Sequence, residues 1–192
     1  AKSLAEDYTI DQSLRFEESD SAKLSRVQGA GNRKTWTFSC WFKRGKLATS
    51  GAADRPGLWG VPEVGGSILG DGFRFINSDD RLQFMIAGGS YSVTTTQVFR
   101  DFAAWYHLVC VSDTTQSVAS NRMKFYVNGV HVTDMAGSSY PTLNYESDGV
   151  GNSGYAMTVG QGLVSTDFMD GYMAEVYFID GTAYDADDFG ET

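Results

Sequence analysis

Residues 105 to 132 read WYHLVCVSDTTQSVASNRMKFYVNGVHV, and the fold is decided by how this stretch turns back on itself. Asn128-Gly129 is the dipeptide that most readily takes the two positive-φ positions of a two-residue type I′ turn, so the flanking runs are expected to pair as antiparallel strands. Side chains alternate with period two along a strand, which sets Val127 against Val130 and Phe125 against Val132 on one face. Tyr126 then meets His131, and Lys124 meets Thr133, on the other. One face is oily and the other wet, as for a strand pair lying over a core with its far side toward solvent or a binding surface. The run just before it, FAAWYHLVCVSD at residues 102 to 113, is the most apolar segment of the chain and reads as a central strand.

Outward from this hairpin the same pattern repeats. SLRFEE and KLSRV, at residues 13 to 18 and 23 to 27, are short alternating runs separated by a Ser/Asp turn. TWTFSCWFKR places Trp36, Phe38, Cys40 and Phe42 on one face against Thr37, Ser39, Trp41 and Lys43 on the other. GFRFINS, DRLQFMIAG and SYSVTTTQV follow, and AMTVGQG and GYMAEVYFID close the series. Two stretches lose all periodicity and read as long loops: residues 45 to 66, which hold two of the 3 prolines, and residues 136 to 155. Helical signals are confined to DADDFGE, one turn at most, with Asp185 as N-cap and Asp187 and Asp188 in the first turn, where carboxylates suit the positive dipole end.

Composition agrees. A chain of 192 residues with 22 Gly, 3 Pro and 14% aromatic residues suits many short strands joined by tight turns. The fold class expected is all-β, a two-sheet antiparallel β-sandwich or barrel in a single domain over 1–192, with residues 1–12 as an N-terminal arm. A net charge of -9 argues against nucleic acid, because affinity for a phosphate backbone is carried by clustered Lys and Arg. No run of about 18 apolar residues offers a membrane span, and no secretion leader is read, although one already removed would leave no trace. Cys40 and Cys110 sit inside apolar strands and read as buried free thiols, which leaves the redox compartment open.

These residues carry a resemblance. WYHLVCVSDTTQSVASNRMKFYVNGVHV is similar to the Trp-x-His, strand, polar turn, strand, Tyr-x-Asn-Gly block of laminin-G-like and pentraxin-like domains in the concanavalin A-like lectin/glucanase superfamily. FMDGYMAEVYFIDGTAYDADDFGE resembles the closing strand of those domains. SLRFEESDSAKLSRVQGAGNRKTWTFSCWFKRG is similar to the opening of a branch found in tailed-phage structural proteins. The resemblance implies a concanavalin A-like jelly roll of two curved antiparallel sheets with first and last strands adjacent. It also implies localisation in a virion, or alternatively outside the cell.

A catalytic role is not expected. Glucanases of this superfamily use carboxylates two residues apart on one strand, so that both point into the cleft. Here Glu175 and Asp180 are five apart and face opposite sides, while Glu18 and Asp20 lie in a polar turn. His107 reads as packing and His131 as a polar-face neighbour of Tyr126, and GNSGY does not form a nucleophile elbow. Many relatives bind calcium through loop oxygens, and Asp54, Asp71, Asp79, Asp80, Asp148, Asp167 and Asp170 are the candidates here. They read more simply as turn residues, so no cofactor is required and calcium is not favoured.

Ligand binding is better supported. Sugar sites present aromatic rings against pyranose faces, with Asn, Asp and backbone groups taking the hydroxyls. Trp59 in the first loop, and Tyr140, Asn144, Tyr145, Asp148 and Asn152 in the second, fit that description, with both sets of rings expected at the surface. Two functions stay open: a non-enzymatic lectin-like module of a phage virion, on a tail fibre or capsid, that binds host-surface glycans or mediates adhesion; or a structural decoration protein whose partners are other virion proteins. A homo-oligomer is compatible with either.

Overall fold

The computed structural model describes residues 11–48, 55–62, 70–76 and 79–189. Thirteen strands run β1 Leu14–Phe16, β2 Leu24–Val27, β3 Thr35–Arg44, β4 Gly57–Val61, β5 Asp71–Phe75, β6 Arg81–Ile86, β7 Tyr91–Val98, β8 Tyr106–Asp113, β9 Met123–Val127, β10 Val130–Val132, β11 Met135–Ser139, β12 Ala156–Val159 and β13 Gly171–Asp180. They form a six-stranded sheet in the order β1-β13-β3-β8-β9-β10 and a seven-stranded sheet in the order β11-β7-β6-β5-β4-β12-β2. This is the antiparallel two-sheet sandwich expected, with the first and last strands paired through Leu14 and Met173.

The deciding hairpin forms in the expected register. Val130 pairs with Val127, His131 with Tyr126 and Val132 with Phe125, and the turn residues Asn128 and Gly129 take φ values of 50° and 79°. β8 lies between β3 and β9, inside its sheet. β10 forms one edge, and this is why Val130 stays exposed although it shares a face with buried Val127.

The inner faces meet in an aromatic core. Trp36 lies 5.4 Å from both Trp59 and Phe84, Phe38 stacks on Phe73 at 5.2 Å, and Phe73 lies 4.7 Å from Phe84. Such pairs contribute about 0.5–1.5 kcal/mol each beyond the area they bury. Cys40 and Cys110 are buried free thiols in this layer, and burial pushes both above the ordinary thiol pKa.

The first long loop needs correction. Within residues 45–66, β4 forms between β5 and β12, with all five of its residues buried. Pro56 and Pro62 bracket the strand instead of breaking it, a position where a missing N–H costs the ladder nothing. Gly57 and Gly60 are required by the neighbours, because a Cβ at Gly57 would stand 2.1 Å from the Gly162 nitrogen. β11 likewise occupies the start of the second loop as an exposed edge strand.

After β13 the chain folds back over the outer face of the six-stranded sheet. Thr37 Oγ1 donates to the Thr182 carbonyl at 2.9 Å and accepts from the Tyr184 N–H at 2.9 Å. Ala186 packs on Val109 and Val111. The closing 3-10 turn, Ala186–Phe189, is capped as expected: Asp185 accepts from the Asp187 N–H at 3.1 Å and Asp188 from the Asp185 N–H at 3.0 Å.

Candidate functional site

The second loop is tied down from three sides. Beneath it lies Asp71 at the start of β5, fully buried, whose Oδ2 accepts hydrogen bonds from the Ser147 hydroxyl and, at 2.8 Å, from the Val150 N–H. Its Oδ1 accepts from the Ala87 N–H at 3.0 Å, which joins the β6–β7 connection to the same anchor. Burial raises the Asp71 pKa, opposed by these three donors. On a second side, Arg33 Nε donates to the Ser147 carbonyl at 2.6 Å, while its terminal nitrogens lie 3.2 Å from Glu146 and 3.2 Å from Asp148. On the third, the Asn144 N–H donates to the Thr114 carbonyl at 2.8 Å and the Thr114 hydroxyl to the Tyr145 carbonyl at 2.7 Å. Gln28 adds a fourth tie, accepting from the Gly151 N–H at 3.0 Å.

This network holds the loop's polar side chains outward. Asn144 and Asp148 are exposed, and the Asn152 side-chain amide braces the Asp148 carbonyl at 3.1 Å. Tyr145 is half-buried edge-on to Tyr91, 5.0 Å between ring centres, and burial, with Asp148 next, pushes its hydroxyl up to about 12. Asn144, Tyr145, Asp148 and Asn152 therefore share one rim.

The other two expected rings lie elsewhere. Trp59 is corrected: it is 1% exposed, stacks on Phe73 and Phe178 at 5.3 and 5.6 Å and packs tilted against Phe38 at 5.1 Å, so it belongs to the core and presents nothing to a ligand. Glycines on either side made it look like a loop residue, yet they are the residues that let adjacent backbones close over the strand. Tyr140 is half-buried and lines a separate cleft of about 210 Å³ with Asn121, Met123, His131 and Met135.

Three of the remaining candidates for metal face arginines, the first being Asp79, 3.9 Å from Arg81. Asp80 is bound by Arg44 at 2.9 Å, Arg100 at 3.0 Å and the Ala48 N–H at 2.8 Å, and Asp167 lies 3.8 Å from Arg74. Asp54 falls outside the described residues, as does most of the expected N-terminal arm. Among the described residues, no group of three or more His, Cys, Asp or Glu is placed to hold a metal ion.

A Ser–His pair exists that the sequence did not suggest. Ser39 Oγ lies 3.0 Å from His107 Nε2 on the outer face of the six-stranded sheet, with Trp41 stacked on the imidazole at 4.9 Å and Phe189 at 6.4 Å. Ser39 is buried and His107 nearly so, which denies a substrate carbonyl the approach that nucleophilic attack needs. Burial holds the His107 pKa below its ordinary value, partly offset by Glu175.

Comparison with known proteins gives the architecture a lineage. A family model for the concanavalin A-like lectin/glucanases superfamily matches residues 16–187. No curated protein sequence matches the chain. Among solved structures, the native heptameric SAP-like pentraxin of Limulus polyphemus superposes with a TM-score of 0.55 at 13% identity, over 81% of this chain and 68% of that one. Domains LG4-5 of the mouse laminin alpha1 chain give 0.56 at 13% identity, over 95% of this chain and 45% of that two-domain piece. A full-length tailspike protein of an Escherichia coli bacteriophage gives 0.56 at 11% identity, over 88% of this chain and 22% of its own. At these identities the likeness is one of fold, and the chain spans less than half of the laminin LG4-5 piece and of the tailspike chain.

Proposed function

The chain belongs to the concanavalin A-like lectin/glucanases superfamily, and from that premise we propose that it is a non-enzymatic glycan-binding module, displayed on a phage virion and contacting host-surface polysaccharide. The observation that carries this is the tethered rim. Asn144 and Asp148 stand in solvent beside the Tyr145–Tyr91 ring pair on a loop whose backbone is fixed by Asp71, Arg33 and Thr114. A loop already held in place loses little conformational entropy when it binds, which favours recognition of flexible sugars. Virion display rests on the similarity of residues 13–45 to tailed-phage structural proteins.

A second reading has its own support. Leu14, Leu24 and Val27 are 53%, 52% and 65% exposed, on strands that end the two sheets along the same open side of the sandwich. Unpaired edges with apolar side chains suit contact with further copies or with other virion proteins. A glycan-array screen of the purified protein, with and without calcium, separates the two. Binding abolished by Tyr145→Ala supports the module, whereas a blank array with a concentration-dependent oligomer supports assembly.

A further inference from the structure

On the outer face of the seven-stranded sheet, beside the tethered rim, lies a cleft of about 180 Å³ lined by Arg55, Gly70, Arg74, Met85, Gly88, Leu163 and Val164. It shares the rim's end of the sandwich: Gly70 precedes the anchor Asp71, and the Gly88 N–H donates to the Gly70 carbonyl at 2.8 Å. Arg74 projects from β5, where Gly57, Arg74, Gln83 and Thr94 are aligned across four strands. Its Nε and one terminal nitrogen donate to Gln83 Oε1 at 3.3 and 3.2 Å, and Gln83 in turn donates to Thr94 at 3.2 Å. The guanidinium plane is thus fixed by neutral groups, with its other terminal nitrogen turned toward Asp167.

The described charges in the cleft are unequal. Among the described residues, Asp167 is the acid that pairs with Arg74, at 3.8 Å, beyond hydrogen-bond distance, and no ion pair reaches Arg55. The Asp167 side chain is 1% exposed and its Oδ2 lacks a hydrogen-bond partner. Burial pushes its carboxyl up to about 6, and burial, with the Arg55 charge next, lowers the Arg74 pKa. Among the described residues, two guanidiniums stand against one carboxylate, a local positive excess on a chain of net charge -9. Arg55, outside the Gln83–Thr94 hydrogen bonds, can present its donor fork to a planar or trigonal anion, with the Arg74 charge fixed beside it. Met85, Leu163 and Val164 supply apolar walls. A volume well below the 300–1,000 Å³ or so of sites for drug-sized ligands suits a single terminal residue.

The geometry points to the Arg55–Arg74 cleft as a subsite for one acidic sugar residue, carboxylated or sulfated, at the end of a glycan whose neutral part lies along the Asn144–Asn152 rim. This rests on the glycan-binding reading and adds the ligand's charge class. The test is a ligand-observed NMR titration of the purified protein with glucuronic acid, glucose 6-sulfate and glucose. Variants Arg55→Gln and Arg55→Lys are chosen because Arg55 is half-buried on the wall and is outside the Gln83–Thr94 ladder. The expected result is binding of at least one acidic sugar about 10-fold or more tighter than glucose, weakened by 0.5 M salt as paired charges are screened. That preference is lost in Arg55→Gln and partly kept in Arg55→Lys, and the relative response to glucuronic acid and glucose 6-sulfate identifies the anion. Equal binding of glucose and the acidic sugars, or an Arg55→Gln protein with unchanged preference, overturns the subsite. If the array still shows neutral glycans bound through Tyr145, that failure leaves the glycan-binding reading intact; if no sugar of any kind binds, both fall.

Discussion

Replacing Trp59 by Ala distinguishes a core ring from a surface ring more sharply than any other single change. The residue is 1% exposed and contacts Trp36, Phe38, Phe73 and Phe178 at ring separations of 5.4, 5.1, 5.3 and 5.6 Å. Removing a buried Trp costs about 3–5 kcal/mol in lost transfer energy and residual cavity. Four aromatic neighbours, each contributing beyond the area buried, put the loss toward the upper end, about 5 kcal/mol. A domain of this size shifts its Tm by about 2–4 °C per kcal/mol, so a fall of about 10–20 °C is expected. Differential scanning calorimetry and urea unfolding measure it, with Tyr145→Ala as the surface control. A Trp59→Ala protein melting within about 2 °C of the parent would place the ring outside the core and refute the packing described.

Tyr145→Ala should change stability by less than about 1 kcal/mol, since the ring is half-buried on a loop, while weakening adhesion to host cells; a melting curve and a cell-binding assay check the two halves. Gly129→Val places a β-branched residue at φ 79° and should destabilise by about 1–3 kcal/mol, read as a lower urea midpoint. His107 sets a pH dependence: burial lowers its pKa, so the folded protein refuses a proton that the unfolded chain accepts. Its contribution is therefore complete above about 6.5 and is lost as pH falls through the folded value. The Tm of the parent should drop more steeply from pH 7.5 to 5 than that of His107→Gln, and parallel curves would contradict the assignment.

What was legible in the sequence was local. The Asn128-Gly129 hairpin fixes its own register through a two-residue turn, and the ten-residue alternation of β3 declares its buried face without reference to any partner. β4 was not legible, because the reason for Gly57 and Gly60 lies in the approach of Gly162 and Asp71, far along the chain. The loss of alternation there concealed a buried strand and turned Trp59 into an apparent loop aromatic. In the second loop, the polar rim could be read from its Asn, Asp and Tyr content, but its anchors could not. Asp71 meets Ser147 and Val150 across 76 and 79 positions, and Arg33 meets Ser147 across 114. Such ties leave no local pattern, since an isolated acid before a strand reads as a turn residue whether it is solvated or buried. The Arg55–Arg74 cleft was missed for the same reason: neither arginine is unusual until the fold sets both on one wall.

The most direct test of the central claim, that this end of the sandwich binds glycan and does not cut it, is incubation of host-surface polysaccharide with the immobilised protein, following both retention and chain length by size-exclusion chromatography with light scattering. Retention that Tyr145→Ala removes, with the mass distribution of the polysaccharide unchanged after prolonged incubation, is the predicted result. Release of oligosaccharides, or retention that is indifferent to Tyr145, would contradict it.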